Sequence, residues 1–144
     1  MEDVTLHYEA FPAEAQVRFI EDSLVGHNFA ATGIGEYFPV GLFLANARGE
    51  CLGGLTGYTW GGWLHVKFLW IASVLRGQGH GTRLMDAAEA FAVEHGCPRA
   101  TLETFSFQAL GFYQKRGYEV FGKLDDYPPG HTKFYLRKAL QERT

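Results

Sequence analysis

Three alternating glycines, Gly77, Gly79 and Gly81, stand between an apolar run ending at Ile71 and an amphipathic helical pattern that begins at once. Few backbones satisfy that order. Glycine has no Cβ, so successive N–H groups in such a turn can point toward one spot without obstruction. They join the unpaired N–H groups of the first helical turn and the positive end of the helix dipole. The product is an anion site, and a pyrophosphate is its natural guest. Spacing excludes two familiar versions. A nucleotide-binding P-loop needs Gly-Lys-Ser/Thr, and none follows these glycines. A dinucleotide fingerprint needs Gly-x-Gly-x-x-Gly, whereas Gly79 is followed directly by Gly81 and Thr82.

Composition narrows the class further. The 144 residues, 47% hydrophobic and 15% aromatic, suffice for one domain with a real core, taken here as residues 1–144. Thirteen Lys and Arg against 16 Asp and Glu give a net charge of -3, with no basic run, so nucleic acid is not an expected partner. Two cysteines, Cys51 and Cys97, are too few for a disulfide framework, and neither they nor the histidines have metal-ligand spacing. The opening Met1-Glu2-Asp3 is acidic and polar, unlike a secretory leader, and no apolar run could span a membrane. A cytoplasmic protein with reduced thiols, no membrane partner and no metal is the expectation.

Along the chain, Val4 to Ala10 alternates as a strand. Pro12 suits a first helical turn, and Ala13, Val17, Ile20 and Leu24 mark one helix face that Gly26 should stop. Residues 27–36 read as a loop or short second helix. Val40 to Leu44, Cys51 to Trp60 and Trp63 to Ile71 are three strands joined by an Asn46–Glu50 turn and by Gly61-Gly62, an antiparallel meander. Leu84, Ala88, Phe91 and Ala92 stripe the next helix, which Gly96 and Pro98 end. A strand from Arg99 to Phe105, a helix from Phe107 to Arg116 and strands at Tyr118–Leu124 and Thr132–Arg137 complete a mixed α/β order with one central sheet.

The residues Arg76-x-x-Gly79-x-Gly81 resemble the Arg/Gln-x-x-Gly-x-Gly/Ala signature of the GNAT superfamily of acyl-CoA-dependent N-acetyltransferases. Leu69-x-Ile71 is similar to the end of the strand that precedes that signature. A second stretch, Ser106-Phe107-Gln108-Ala109-Leu110-Gly111-Phe112-Tyr113 through Gly117-Tyr118, resembles the family's Asn-x-x-Ala-x-x-Leu-Tyr-x-x-x-Gly-Phe, with Ser for Asn. The resemblance implies a central, twisted, mostly antiparallel sheet of about seven strands flanked by helices, since the predicted element order is the family's order.

It also implies acetyl transfer from acetyl-CoA to a primary amine of a small molecule or peptide by direct attack. Backbone N–H groups of Arg76, Gly77, Gln78, Gly79, His80, Gly81 and Thr82 would hold the pyrophosphate, with the Thr82 hydroxyl a further donor and the His80 ring a spectator. Trp70 and Ile71 would offer main chain to pantetheine and the thioester carbonyl, and Ser106 would take the place of the family's Asn. Tyr113 matches the general acid that protonates the departing thiolate, and Glu103 is the candidate base. Arg76, Arg83, Lys115 and Arg116 are available cations for CoA phosphates. Asp125 to His131 is read as an ordinary turn near the acceptor side. A homodimer follows from family habit. Two other readings stay open: a CoA-binding sensor or interaction module without turnover, and transfer of a longer acyl group.

Overall fold

The structure is a computed structural model that describes residues 2–141. The described residues fall into two compact units, one ending at Gly35 and one starting at Glu36, taken here in turn.

The first unit is a single helix, α1 (Glu14–Thr32), preceded by residues without regular structure. The strand expected at Val4–Ala10 is not formed. Alternation alone cannot make a strand, because its N–H and C=O groups need a neighbouring strand, and no strand of the described residues pairs there. Pro12 lies just outside the helix, whose N-cap is Ala13; the Gln16 side chain accepts the Ala13 N–H at 3.2 Å. The helix also runs through Gly26. An interior glycine costs only about 1 kcal/mol, so it weakens a helix without ending it. The end comes at Gly33, where φ turns to 71° and the N–H bonds back to the Phe29 carbonyl at 2.8 Å.

The second unit holds one six-stranded sheet in the order β1-β2-β3-β4-β6-β5. Its strands are β1 (Tyr37–Ala45), β2 (Cys51–Trp60), β3 (Trp63–Ile71), β4 (Arg99–Phe105), β5 (Glu119–Asp125) and β6 (Thr132–Ala139). The helices are α2 (His80–Glu94) and α3 (Leu110–Lys115). The mixed α/β architecture is therefore as expected, with six strands in place of seven. Every neighbouring pair is antiparallel except β3 with β4.

Alternation decides which face is core. Leu64 and Val66 of β3, Ala100, Leu102 and Thr104 of β4, and Leu136 of β6 are buried, together with Leu84, Met85, Ala88 and Ala92 of α2. The intervening residues, His65, Thr101 and Glu103 among them, occupy the other face. Each fully buried Leu or Met contributes roughly 1.5–3 kcal/mol, so the α2 stripe and the sheet hold each other.

Two departures from regularity shape the molecule's working end. The register of β2 against β3 slips between Thr56 and Gly57, leaving Lys67 as the extra residue of a bulge. Glycine is required at position 57, since a Cβ there would meet the His65 carbonyl oxygen. Just at that bulge β3 parts from β4: the parallel pairing covers only Trp63–Val66 with Arg99–Leu102. Beyond it, β3 keeps β2 and β4 keeps β6 as the only strand partners among the described residues.

The helix expected at Phe107–Arg116 begins later, at Leu110. Local hydrogen bonds hold the intervening turn in a different shape. Gln108 Oε1 accepts the Phe105 N–H at 3.0 Å and the Thr104 hydroxyl at 3.3 Å. Ser106 exchanges bonds with Thr132, its N–H to the Thr132 carbonyl at 2.8 Å and the Thr132 N–H to its Oγ at 3.0 Å. No helix of the described residues is long and apolar enough to cross a membrane.

Candidate active site

The parting of β3 and β4 opens a cavity of about 690 Å³, a size suited to a small-molecule site. Its wall includes Leu69, Ile71, Gly81, Glu103, Phe112 and Tyr113, so β3, the start of α2, β4 and α3 all contribute. Along one side runs the free edge of β3 from Lys67 to Ile71, whose main-chain groups have no strand partner on the β4 side among the described residues. An unpaired strand edge is a template for another extended chain. Trp70, Ile71 and Arg76 also line the cavity.

At the end of β3 the chain makes one short turn of tight helix, Ser73–Leu75, and enters the glycine turn. Gly77 and Gly79 have φ values of 77° and 82°, the left-handed region that other residues resist. Gly79 is the N-cap of α2, and its carbonyl accepts the Arg83 N–H at 3.1 Å. Among the described residues, no main-chain or side-chain group accepts a hydrogen bond from the backbone N–H groups of residues 77–82. Gly81 is needed for another reason: a Cβ there would lie 3.3 Å from the Phe112 ring and 3.5 Å from Ile71, so its absence lets α2 close on α3. Most side chains of this turn are occupied. Arg76 Nε donates to the Ile71 carbonyl at 3.0 Å, Gln78 Nε2 to the Val74 carbonyl at 3.0 Å, and Arg83 bonds His80 at 3.1 Å. The Thr82 side chain is exposed. Of the residues expected in the site, Gly77, Gln78, Gly79, His80 and Thr82 form the turn that adjoins the cavity at Gly81.

Ser106 is directed elsewhere. Its hydroxyl oxygen accepts the Thr132 N–H and fastens the start of β6, and it is neither part of the cavity wall nor the cap of α3, which is Ala109. Arg116 also has another task. Its guanidinium pairs with Asp86 at 2.9 Å and Glu89 at 3.0 Å. Asp126 accepts the Gly130 N–H at 3.3 Å, so the segment from Asp125 to His131 behaves as the turn it resembles.

Tyr113 is 6% exposed and reaches the cavity wall beside Phe112, the two rings meeting edge to face at 5.2 Å. Burial pushes its phenol up to about 12, so the hydroxyl is a proton donor throughout the neutral range. Glu103, also on the cavity wall, bonds through Oε2 to His65 Nε2 at 2.9 Å. His65 Nδ1 bonds in turn to the Tyr58 hydroxyl at 3.1 Å, and the Tyr58 ring stacks on Tyr37 at 5.1 Å. Burial raises the Tyr58 phenol as well, reinforced by the neighbouring Tyr37 and Glu103. His65 and Tyr58 carried no motif. Their opposition was nonetheless readable, because the two-residue Gly61-Gly62 turn pairs Trp60 with Trp63 and hence Tyr58 with His65.

A phenol and a carboxylate on a cavity wall, with an adjoining turn whose N–H groups have no acceptor among the described residues, suit group transfer from an anionic carrier. Comparison with known proteins agrees. The model of the acetyltransferase (GNAT) family matches residues 6–118. The chain belongs to the GNAT acetyltransferase family. As a GNAT acetyltransferase it is 46% identical over 99 residues to blasticidin-S acetyltransferase of Streptomyces morookaense, covering 68% of this chain and 73% of that one. It is 33% identical to an acetyltransferase of Agrobacterium fabrum, over 89% of this chain and 93% of that one. The crystal structure of an acetyltransferase from Agrobacterium tumefaciens superposes with a TM-score of 0.89 at 29% identity, covering 94% and 99% of the two chains.

Proposed function

We propose that this GNAT acetyltransferase moves the acetyl group of acetyl-CoA to a primary amine of a small molecule. The observation that carries the reading is the cavity between the parted strands, with Tyr113 and Glu103 on its wall and the unpartnered N–H groups of residues 77–82 at its end. The residues present fit the donor. The N–H groups of the turn and the α2 dipole suit its diphosphate, and the free edge of β3 suits its amide-bearing arm. Acetyl-CoA supplies the activated thioester.

The chain's own groups supply the rest. A main-chain N–H near Trp70 and Ile71 polarises the carbonyl. Glu103 takes the proton of the acceptor ammonium, whose reference pKa near ~10 keeps it charged at neutral pH, and the freed nitrogen attacks. The carbon–nitrogen bond forms, the carbon–sulfur bond breaks, the Tyr113 hydroxyl gives its proton to the departing thiolate, and the second proton lost by the acylated nitrogen restores the phenol.

For the acceptor, the 46% identical relative named for blasticidin S favours a small-molecule amine over a protein terminus. Purified protein with acetyl-CoA, assayed for thiol release against blasticidin S, a polyamine, an amino acid and a short peptide, tests the reading. Thiol release with blasticidin S or another small amine is the expected result. Acetyl-CoA binding without release on any amine would favour the sensor alternative, release with longer acyl-CoA alone would favour the other alternative, and absence of binding would overturn the reading.

A further inference from the structure

The mechanism above uses Glu103 but gives no task to the two residues tied to it. The three side chains come from three adjacent strands on one face of the sheet: Tyr58 from β2, His65 from β3 and Glu103 from β4. They form a continuous line, hydroxyl to Nδ1 at 3.1 Å and Nε2 to Oε2 at 2.9 Å. Glu103 Oε1 has no protein partner among the described residues, and Glu103 lines the cavity.

The chemistry of the groups fixes the direction of each bond. An ionised carboxylate only accepts, so the proton in the bond to Glu103 belongs to His65 Nε2. In a neutral imidazole the other nitrogen, Nδ1, then carries a lone pair, and the Tyr58 hydroxyl is the donor that satisfies it. Each of the four bonded atoms then has its partner within the line, and Oε1 is left over. We propose that His65 is a positioning residue for Glu103: it anchors Oε2 so that Oε1 is presented to the cavity, while Tyr58 holds His65 in the required tautomer. This inference rests on the acetyltransferase reading above and deepens it.

The arrangement excludes a relay. A proton arriving at Glu103 cannot pass on through Nε2, which already bears one. It moves from the ammonium nitrogen to Oε1, leaves a neutral carboxyl still bonded to His65, and returns to water in the cavity after the amide has formed. His65 therefore acts on the geometry of the base, not on the path of the proton.

Two measurements on the full chain test this. The first is ¹⁵N NMR of the His65 ring in the wild-type protein, which requires no turnover. The Nε2–H tautomer is expected, with the preference weakened in Tyr58→Phe; an Nδ1–H tautomer in the wild type would overturn the assignment. The second is steady-state kinetics with acetyl-CoA and blasticidin S, or with whichever panel amine releases thiol. His65→Ala should lower kcat about 10- to 100-fold, as expected for a misplaced catalytic group, with the KM for acetyl-CoA unchanged. His65→Gln, whose amide can donate to the same oxygen, should recover part of the loss. In a Glu103→Gln background His65→Ala should add nothing further. Unchanged kcat in His65→Ala, or losses that multiply in the double variant, would sink the proposal. If the wild type turns over no amine, the acetyltransferase reading fails, while the tautomer still decides the positioning claim.

Discussion

Burial gives the Tyr113 phenol its chemistry, because a phenolate in an apolar setting has lost its hydration. Two consequences follow for one side chain. Tyr113→Phe should lower kcat by about 100-fold or more, the usual reach of a general acid, while calorimetric affinity for acetyl-CoA stays unchanged. Folding should also become sensitive to alkali. Burial pushes the folded-state phenol up to about 12 from its ordinary 10.0, so its stabilising contribution is complete below pH 10 and is lost as pH rises through 12. The loss is on the order of 2–3 kcal/mol for Tyr113. Urea titrations at pH 9 and pH 12 should register it, and Tyr113→Phe should remove that share. Tyr118, raised by burial and by the Glu89 carboxylate, adds a loss of the same sign. At this scale the place of Tyr113 and Glu103 on one cavity wall was legible, because a motif and a short strand name them locally. His65 was not, since its bond to Glu103 spans a parallel pairing that no turn announces. Nor was the bond from Thr132 to Ser106 legible, because it joins residues 26 apart in the chain.

Among the elements, β2, β3 and β4 run as their sequences foretell, since apolar alternation and glycine turns are local signals. The misread elements depend on partners. The Val4–Ala10 pattern lacks a neighbouring strand, and the turn before α3 is held by Thr132 and by Gln108. The start of α2 is where element geometry becomes binding geometry, and its glycines act differently. A Cβ on Gly79 would meet nothing within 4 Å, so its substitution acts through φ alone, whereas Gly81 is crowded by Phe112. A non-glycine residue in the left-handed region costs about 1–2 kcal/mol, which the turn can escape by changing its backbone conformation. Gly79→Ala should therefore weaken acetyl-CoA binding at least about tenfold in calorimetry, a change of ~1.4 kcal/mol. Adding Phe112→Leu should not restore it. Gly81→Ala should be milder, and Phe112→Leu should relieve it by yielding room. Equal rescue of both variants would contradict this division.

Across the second unit, the parallel β3–β4 contact could not be read from the chain, yet it sets the site, because where the two strands part β3 is still held by β2 and β4 by β6. What keeps α2 fastened below that opening is an ionic knot. Glu89 of α2 accepts from Arg116 at 3.0 Å, from the Tyr118 hydroxyl at 2.9 Å and from Lys138 of β6 at 2.9 Å. Arg116 and Glu89 side chains are only 12% and 13% exposed, and Arg116 Nε already lacks a partner. Removing the carboxylate would strand Lys138 and the Tyr118 phenol and leave Arg116 with Asp86 alone, in a place where breaking a pair typically costs about 3–5 kcal/mol. Glu89→Ala should lower the urea-unfolding free energy by that order. The knot lies outside the cavity wall, so the folded fraction should still bind. A ligand at 100 times its Kd stabilises the native state by about 2.7 kcal/mol. Acetyl-CoA at that excess should thus raise Tm as much in Glu89→Ala as in the wild type, and far less in Gly79→Ala at the same concentration. Thermal melts of the three proteins with and without acetyl-CoA separate the structural knot from the binding turn; a lost shift in Glu89→Ala would mean the two are coupled through α2.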